Sequence, residues 1–204
     1  MTEDEKRAAA EAAAELVEDG MTVGLGTGST VAYLLPALAA RDLRDIRCVA
    51  TSVATETAAR ELGLPIEPFE QLDRLDIAVD GADQVTPDRW LIKGGGGAHT
   101  REKIVAAAAD RFVVIVSSDK LVDALSPPVP LELLEFGLPV TLRRLAPVAV
   151  RDAQRSPDGG VIADYGGPVD DPAALAAWLS ATPGVVDHGL FEPALVADIV
   201  LGRP

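Results

Sequence analysis

The chain has 204 residues, 48% of them hydrophobic, which is enough for one large domain or for one domain and a smaller one. Its formal net charge of −14 argues against nucleic acid and membranes as partners, because both require a basic surface. The first residues are acidic, no apolar run is long enough to cross a bilayer, and Cys48 is the only cysteine. We therefore expect a cytoplasmic protein without disulfide bonds.

The first part of the chain alternates predicted strands and helices. The predicted strands lie at 21–25, 46–50, 75–79 and 112–116, and helical patterns run to Val17, from Val31, to Leu62 and to about Ala109. The last strand is entirely apolar, as in the middle of a parallel sheet. This order predicts an α/β fold with a doubly wound, mostly parallel Rossmann-like sheet. Ligands bind such sheets at the carboxyl ends of the strands, where loops near residues 27, 52, 81, 95 and 119 should meet.

The composition changes at the proline-rich segment 126–130, and the elements beyond it alternate less regularly. Two strands are predicted around 147–150 and 160–163, followed by a helix that starts at Asp171 or Pro172, a favourable cap and first helical residue. We therefore predict a small α+β domain at 126–191. The larger catalytic domain is expected at 1–125 plus 192–204, with 197–201 returning to the first sheet.

The most unusual stretch is Lys93 followed by four glycines, Gly94 to Gly97, between an apolar run and a helix-like sequence. Because glycine loses the most backbone freedom on folding, such a run is favoured where the backbone approaches a ligand or needs positive φ angles. A flexible linker is the alternative. Linkers are usually flanked by polar residues, whereas this run joins a strand directly to a helix. We therefore predict a binding loop.

The segment Gly26-Thr27-Gly28-Ser29-Thr30 forms a second glycine-containing junction between a strand and a helix. It lacks the third glycine of the dinucleotide-binding pattern, because Ser29 stands there, and it lacks the lysine of the Walker pattern. Its backbone amides, its hydroxyls and the positive end of the following helix suit a single phosphate group. The alternative is a tight turn with a serine or threonine that only caps the helix.

Asp80 and Asp83 bracket Gly81 and Ala82 at the end of a predicted strand. Asp83 alone is equally well explained as a residue that caps the following turn. Two carboxylates close to Lys93 are suited to hydrogen-bonding sugar hydroxyls and moving their protons. Lysine is scarce in this chain, so Lys93 and also Lys120, which follow strands beside unusual loops, favour a functional interpretation.

Glu102 lies in the first turn of the helix after the glycines, where the helix dipole favours its ionised form. The alternative is an ordinary surface glutamate. A carboxylate base beside a glycine loop, with a lysine and acids nearby, is the set of groups needed to remove a proton next to a carbonyl. His99 is interpreted as a loop or helix-start residue and His188 as part of the second domain. These histidines and Cys48 do not form a metal-binding pattern, so neither a metal nor another cofactor is expected.

Taken together, these motifs resemble ribose-5-phosphate isomerase A. The matching segments, in order and spacing, are Gly26–Thr30, Asp80–Asp83, Lys93–Gly97, Thr100–Lys103 and Lys120. The resemblance runs from the N-terminal helix to Phe191 and is looser between Lys120 and Arg151. It implies interconversion of D-ribose 5-phosphate and D-ribulose 5-phosphate through an enediolate, without a metal, in the non-oxidative pentose phosphate pathway. It also implies a homodimer or homotetramer.

The resemblance further implies roles for individual residues. Glu102 would be the base that transfers a proton between C1 and C2, and Lys93 and Asp80 would stabilise the developing oxyanion and assist ring opening. The residues expected to bind the sugar phosphate are Thr27, Gly28, Ser29, Thr30, Asp80, Gly81, Ala82, Asp83, Lys93, Gly94, Gly95, Gly96 and Lys120. The phosphate itself is assigned to the turn from Thr27 to Thr30 by the helix-end argument.

Two other functions stay open at this point. An amino-sugar-phosphate isomerase or deaminase on a related fold would share the phosphate turn but lack the pairing of Lys93 with Glu102. A non-catalytic sugar-phosphate sensor domain, as in some transcription regulators, would carry a DNA-binding helix-turn-helix, for which we expect no room before Met21.

Overall fold

A computed structural model describes residues 2–202, and all structural statements below concern those residues. They divide into two compact units, the first made of 2–82, 101–120 and 194–202 and the second of 83–100 and 121–193. The second unit thus includes 83–100 in addition to the region after the proline-rich segment. The domain limits derived from the sequence stay a prediction.

The first unit is built on a five-stranded parallel sheet, which confirms the predicted Rossmann-like α/β fold. Its strands, in spatial order, are β2 (Arg47–Ala50), β1 (Thr22–Leu25), β3 (Leu75–Asp80), β6 (Ala109–Val116) and β12 (Asp198–Leu201). The position of β12 beside β6 confirms that the C-terminal segment returns to this sheet. Because β2 and β3 lie on opposite sides of β1, the loops after β1 and β3 flank the point where the strand order reverses, a common ligand-binding position.

The helices that cover this sheet are α1 (Thr2–Ala14), α2 (Val31–Ala39), α3 (Val53–Glu61) and α4 (His99–Ala108), whose first two residues belong to the second unit. Alanines of α1 and leucines of α2 pack with the strands in one buried core. Helix α1 ends three residues before the predicted Val17, because Leu16 and Val17 donate to carbonyls three residues earlier in a tighter turn. Within the described chain, no helix combines the length and apolar character required to span a membrane.

The second unit contains a four-stranded antiparallel sheet and two helices, which confirms the predicted α+β character. The elements of this part are β7 (Val129–Leu133), α5 (Leu138–Leu145), β8 (Val148–Arg155), β9 (Val161–Tyr165), α6 (Pro172–Ala181) and β10 (Val185–His188). The strand order is β10-β7-β9-β8. Three two-residue strands form a separate small sheet, namely β4 (Gln84–Val85), β5 (Leu91–Ile92) and β11 (Leu190–Phe191). Asp171 caps α6 by accepting from the amide of Ala174 at 3.0 Å, as its position predicts.

Candidate functional site

The turn after β1 leads into α2 at the carboxyl edge of the parallel sheet. Gly26 is required by close packing, because a Cβ atom there would lie 2.0 Å from the Asp80 carboxyl carbon. Gly28 has a φ of 118° and, like Ser29, is exposed. Thr30 precedes α2 in a helical conformation, and its side chain makes no capping hydrogen bond. The alternative of a hydroxyl that only caps the helix is therefore wrong for Thr30.

The Asp80 carboxylate binds the backbone of this turn. Asp80 is only 3% exposed, and its Oδ1 accepts from the amides of Thr27 at 3.1 Å and Gly81 at 2.7 Å. The Thr27 hydroxyl shares a hydrogen bond of 2.8 Å with Thr51, and the Thr55 hydroxyl donates to the carbonyl before Thr27 at 2.8 Å. Thr51 and Thr55 are not among the predicted site residues, although Thr51 follows β2 directly and Thr55 lies in the first turn of the next helix, α3.

Glu102 and Lys120 are the other predicted site residues of the first unit. Glu102 lies in the first turn of α4 and is 4% exposed, so the alternative of an ordinary surface glutamate is wrong. Lys120 ends the 3-10 turn that follows β6, and its Nζ lies 3.4 Å from Asp119 Oδ2. The hydrogen bond from the Ser117 hydroxyl, together with the Lys120 charge, holds the pKa of the Asp119 carboxyl below its usual value.

The turn that carries Lys120 is attached to α1. Glu5, in the first turn of α1, is buried, and its carboxylate accepts from the Ser118 amide at 3.1 Å and from the Ser118 hydroxyl at 2.9 and 3.0 Å. Nothing in the local sequence indicates this pair, because its members are 113 residues apart. This contact fixes the turn, because both the backbone amide and the hydroxyl of Ser118 take part in it.

In the second unit, Lys93 follows β5 and is 3% exposed. Its amide donates to the carbonyl of Gly189 at 2.8 Å, and its Nζ lies 5.4 Å from the centre of the Phe191 ring. A cation over an aromatic face is an attractive contact. The lysine is therefore held at both its backbone and its side chain by the segment around β11.

The four glycines after Lys93 form a hydrogen-bonded turn. Gly94 and Gly97 have φ angles of 106° and 77°, and the Gly97 amide donates to the Gly94 carbonyl at 3.0 Å. The Gly95 amide donates to Asp83 Oδ2 at 2.8 Å, so Asp83 binds the glycine loop instead of capping the turn that follows it. A Cβ atom at Gly94 would lie 2.7 Å from His99 Nδ1. The linker alternative is therefore wrong.

The start of α4 is bound to the antiparallel sheet of the second unit. His99 is its first residue, as predicted, and is fully buried. The Thr100 hydroxyl donates to Glu132 Oε2 at 2.5 Å, and the Ser156 hydroxyl donates to Oε1 of the same carboxylate at 2.5 Å. Glu132, on β7, is 3% exposed. These two hydroxyls are the partners that a buried charge requires. His188 also belongs to this unit, and its Nε2 lies 3.1 Å from the Ser180 hydroxyl oxygen.

Each unit thus groups its own share of the predicted residues. In the first unit, the Asp80 carboxylate joins the turn from Thr27 to Thr30 to Gly81, and Ala82 is the next residue in the chain. Glu102 lies on α4, which precedes β6, and Lys120 lies in the turn that follows β6. The second unit joins Asp83 to the glycine loop that follows Lys93.

Known proteins provide the chemical context for these residues. Residues 47–204 match the family described as ribose 5-phosphate isomerase A (phosphoriboisomerase A), and residues 1–63 match the DeoR C-terminal sensor domain. A ribose-5-phosphate isomerase A from Caulobacter vibrioides (strain NA1000 / CB15N) is 50% identical in an alignment of 204 positions that covers 93% of this chain and 90% of the relative.

Two solved structures are similar over the whole chain. Ribose 5-phosphate isomerase A from Neisseria gonorrhoeae has a TM-score of 0.95 at 31% identity, covering 100% of this chain and 94% of that one. A D-ribose-5-phosphate isomerase in complex with phospho-erythronic acid has a TM-score of 0.93 at 34% identity, covering 100% of both chains.

Proposed function

Because this chain belongs to the ribose-5-phosphate isomerase A family, we propose that it interconverts D-ribose 5-phosphate and D-ribulose 5-phosphate. The 50% identity to a ribose-5-phosphate isomerase A over most of the chain is the observation that carries this function. The burial of Glu102 supports it, because a base that returns a proton to the same substrate must be shielded from water.

The reaction moves one proton from C2 to C1 of the open-chain sugar. The Glu102 carboxylate takes the C2 proton, the electrons form a double bond between C1 and C2, and the aldehyde oxygen becomes an oxyanion. Glu102 then delivers the proton to C1, while the hydroxyl proton on O2 passes to O1 and leaves a ketone at C2. The buried cation of Lys93 would stabilise the negative oxygen, and Asp80 would assist ring opening.

The substrate phosphate is assigned to the turn before α2. Gly28 and Ser29 are exposed at the positive end of this helix, and the Thr30 side chain is not used as a cap, which leaves polar groups for an anion. Lys120, whose side chain is 36% exposed, would add a positive charge for substrate binding. Gly81, Ala82, Asp83 and the glycine loop would contact the sugar hydroxyls.

One of the similar solved structures is a complex with phospho-erythronic acid, a compound that is chemically consistent with this reaction. The compound has a planar carboxylate at one end and a phosphate at the other. The two carboxylate oxygens resemble the adjacent O1 and O2 of an enediolate, which an enzyme of this class should bind more tightly than substrate. It is therefore a suitable probe of binding for this chain.

A second candidate function rests on the match of residues 1–63 to the DeoR C-terminal sensor domain. This region contains the proposed phosphate turn, so sugar-phosphate binding without catalysis would use the same residues. A sensor would bind ribose 5-phosphate or phospho-erythronic acid but would not convert ribose 5-phosphate.

The test uses purified protein, ribose 5-phosphate and EDTA, with ribulose 5-phosphate formation as the measurement. We expect turnover by the natural chain and a fall in kcat of at least about 100-fold for Glu102→Gln, with phospho-erythronic acid still bound, because the change removes a base and little volume. The matched control is Glu56→Gln, since Glu56 also lies in a first helical turn, but its side chain is 45% exposed and pairs with Arg60. Binding without turnover by the natural chain would support the sensor, and a near-normal kcat for Glu102→Gln would refute the base assignment.

The wider setting follows the resemblance. We propose that the enzyme acts in the non-oxidative pentose phosphate pathway, in the cytoplasm, as a homodimer or homotetramer. A single buried cysteine whose pKa is raised by burial to about 12 is compatible with a reducing compartment. Sedimentation equilibrium that returned the mass of one chain would contradict the oligomer.

A further inference from the structure

The carbonyl oxygens of the glycine loop are bound by side chains of β8, a strand of the second unit. Nη1 of Arg151 donates to the carbonyls of Gly94 and Gly95 at 3.1 and 2.9 Å. Nε2 of Gln154 donates to the carbonyl of Gly96 at 3.0 Å. Two side chains therefore hold three consecutive carbonyls of the loop on one side.

The Arg151 guanidinium is itself fixed by a carboxylate. Its Nε and Nη2 donate to the two oxygens of Asp164 at 2.8 and 2.7 Å, which leaves Nη1 for the loop. This pairing raises the pKa of Arg151 above its already high value, and the two side chains are 19% and 25% exposed. A two-pronged ion pair of this kind is geometrically specific, so Arg151 approaches the loop in one orientation.

An irregularity in β8 allows both side chains to reach the loop. Residues three apart on a regular strand point to opposite faces, which would separate Arg151 from Gln154. The pairing of β8 with β9 shifts register between Val150 and Arg155, and Ala153 within this segment has a φ of 54°. A left-handed conformation is strained for a non-glycine residue. Bulges of this kind redirect side chains, and they are common next to active sites.

The held carbonyls determine where the amides of the loop point. In a trans peptide the carbonyl and the following amide N–H lie on opposite sides. The Gly95 amide donates to Asp83, and the Gly97 amide donates to the Gly94 carbonyl. Gly96 is exposed, and among residues 2–202 its amide has no hydrogen-bond acceptor. Binding of the Gly95 carbonyl by Arg151 therefore directs the Gly96 N–H away from β8 as an available donor.

We propose that Arg151 and Gln154 are positioning residues that hold the glycine loop so that the Gly96 amide can donate to a substrate oxygen. This inference rests on the proposed isomerase function. A donor that stabilises developing negative charge is effective only when it is fixed in place, and small displacements lower the rate strongly. The two side chains would thus act on catalysis through the loop, without touching the sugar.

The test compares kcat and KM for ribose 5-phosphate in four variants. For Arg151→Met we expect kcat to fall at least about 10-fold while KM changes less than about 3-fold, because orientation in the transition state is lost. Arg151→Lys should recover part of this loss, since an ammonium group can donate to one carbonyl. Gln154→Ala should lower kcat about 3-fold, because only one carbonyl is released. The matched control is Arg155→Met, on the same strand, since Arg155 pairs with the exposed Glu135 at 3.2 Å and should stay within about twofold of the natural chain.

The outcomes separate this proposal from the proposed function. No turnover by the natural chain would overturn the isomerase itself. An active natural chain with equal kcat in Arg151→Met and Arg155→Met, or a change confined to the thermal midpoint or to KM, would overturn the positioning role. If circular dichroism shows that Arg151→Met does not fold, Gln154→Ala decides, because it leaves the Arg151–Asp164 pair intact. A normal kcat in that variant would refute the proposal.

Discussion

The turn after β1 and the glycine loop after β5 both join a strand to a helix, yet they are held differently. The β1 turn is bound by residues at the ends of neighbouring parallel strands, chiefly Asp80 and Thr51. The glycine loop is bound on its carbonyl side by Arg151, which lies 57 residues after Gly94 on an irregular antiparallel strand. The first arrangement follows from the sheet topology, whereas the second requires a particular partner from a distant segment.

This difference affects how much each segment tolerates. In the β1 turn, Gly28 faces open space although Gly26 packs against Asp80. In the loop, Gly94, Gly95 and Gly97 all lie against side chains of their own unit. The β1 turn should therefore accept small changes in its exposed part and respond mainly in ligand binding. The glycine loop should respond in both stability and rate, since its backbone is held from both sides.

The largest expected effect compares Gly94→Ala with Gly28→Ala. Both glycines have positive φ angles, 106° and 118°, so alanine costs about 1–2 kcal/mol at either position. Only at Gly94 would the new Cβ also lie 2.7 Å from His99 Nδ1 and 2.9 Å from Pro130 Cβ, and such overpacking adds about 1–3 kcal/mol. Urea unfolding should therefore show a loss of about 2–5 kcal/mol for Gly94→Ala and about 1–2 kcal/mol for Gly28→Ala. Equal losses would show that the two segments are packed alike.

The sequence predicted the parallel sheet and its edge because strand ends meet there by topology. The apolar run of β6, the return of β12 and the positions of Asp80 and the β1 turn all follow from alternating strands and helices. The three-stranded sheet escaped prediction because two-residue strands have no measurable periodicity. Strand β7 escaped because Pro130 lies inside it, and proline normally argues against an inner strand.

The long-range contacts around the site escaped prediction for another reason. Glu132 and Arg151 look like ordinary charges on a strand until Thr100, Asp164 and the glycine carbonyls are placed beside them. Spacing along a chain carries no information about pairs so far apart. The bulge at Ala153, which redirects β8, likewise has no glycine or proline to mark it.

A second prediction assigns the phosphate to the β1 turn and the sugar to the glycine loop. Ser29→Ala should weaken inhibition by phospho-erythronic acid about 10-fold, because a hydrogen bond to a charged group contributes about 1.5–3 kcal/mol. Inhibition by erythronic acid, which lacks the phosphate, should change less than about 2-fold, since the remaining groups contact other segments. The measurement is the inhibition constant of each compound for the natural chain and for Ser29→Ala. An equal weakening of inhibition by the two acids would contradict the assignment of the phosphate to this turn.

The smallest effect concerns a second aspartate of β3, at the opposite edge of the sheet from Asp80. Asp76 Oδ2 accepts from the Thr22 amide at 2.7 Å and from the Thr22 hydroxyl at 2.8 Å, and these bonds hold the pKa of Asp76 below its usual value. Because the folded-state pKa is the lower one, this stabilisation is fully present above the unfolded pKa of about 3.9 and is lost as the pH falls through the folded value.

Asp76→Asn should therefore lower the free energy of unfolding by about 1 kcal/mol at pH 7, because a neutral amide accepts more weakly than a carboxylate. The difference from the natural chain should shrink in acid, since the natural carboxylate is then protonated as well. Urea unfolding at neutral and acidic pH measures the stability loss and its decrease in acid. The kcat should not change, because Asp76 binds the amino end of β1 while Asp80 binds the turn at its carboxyl end. A reduced kcat at unchanged stability would mean that the two edges of the sheet are not separable in this way.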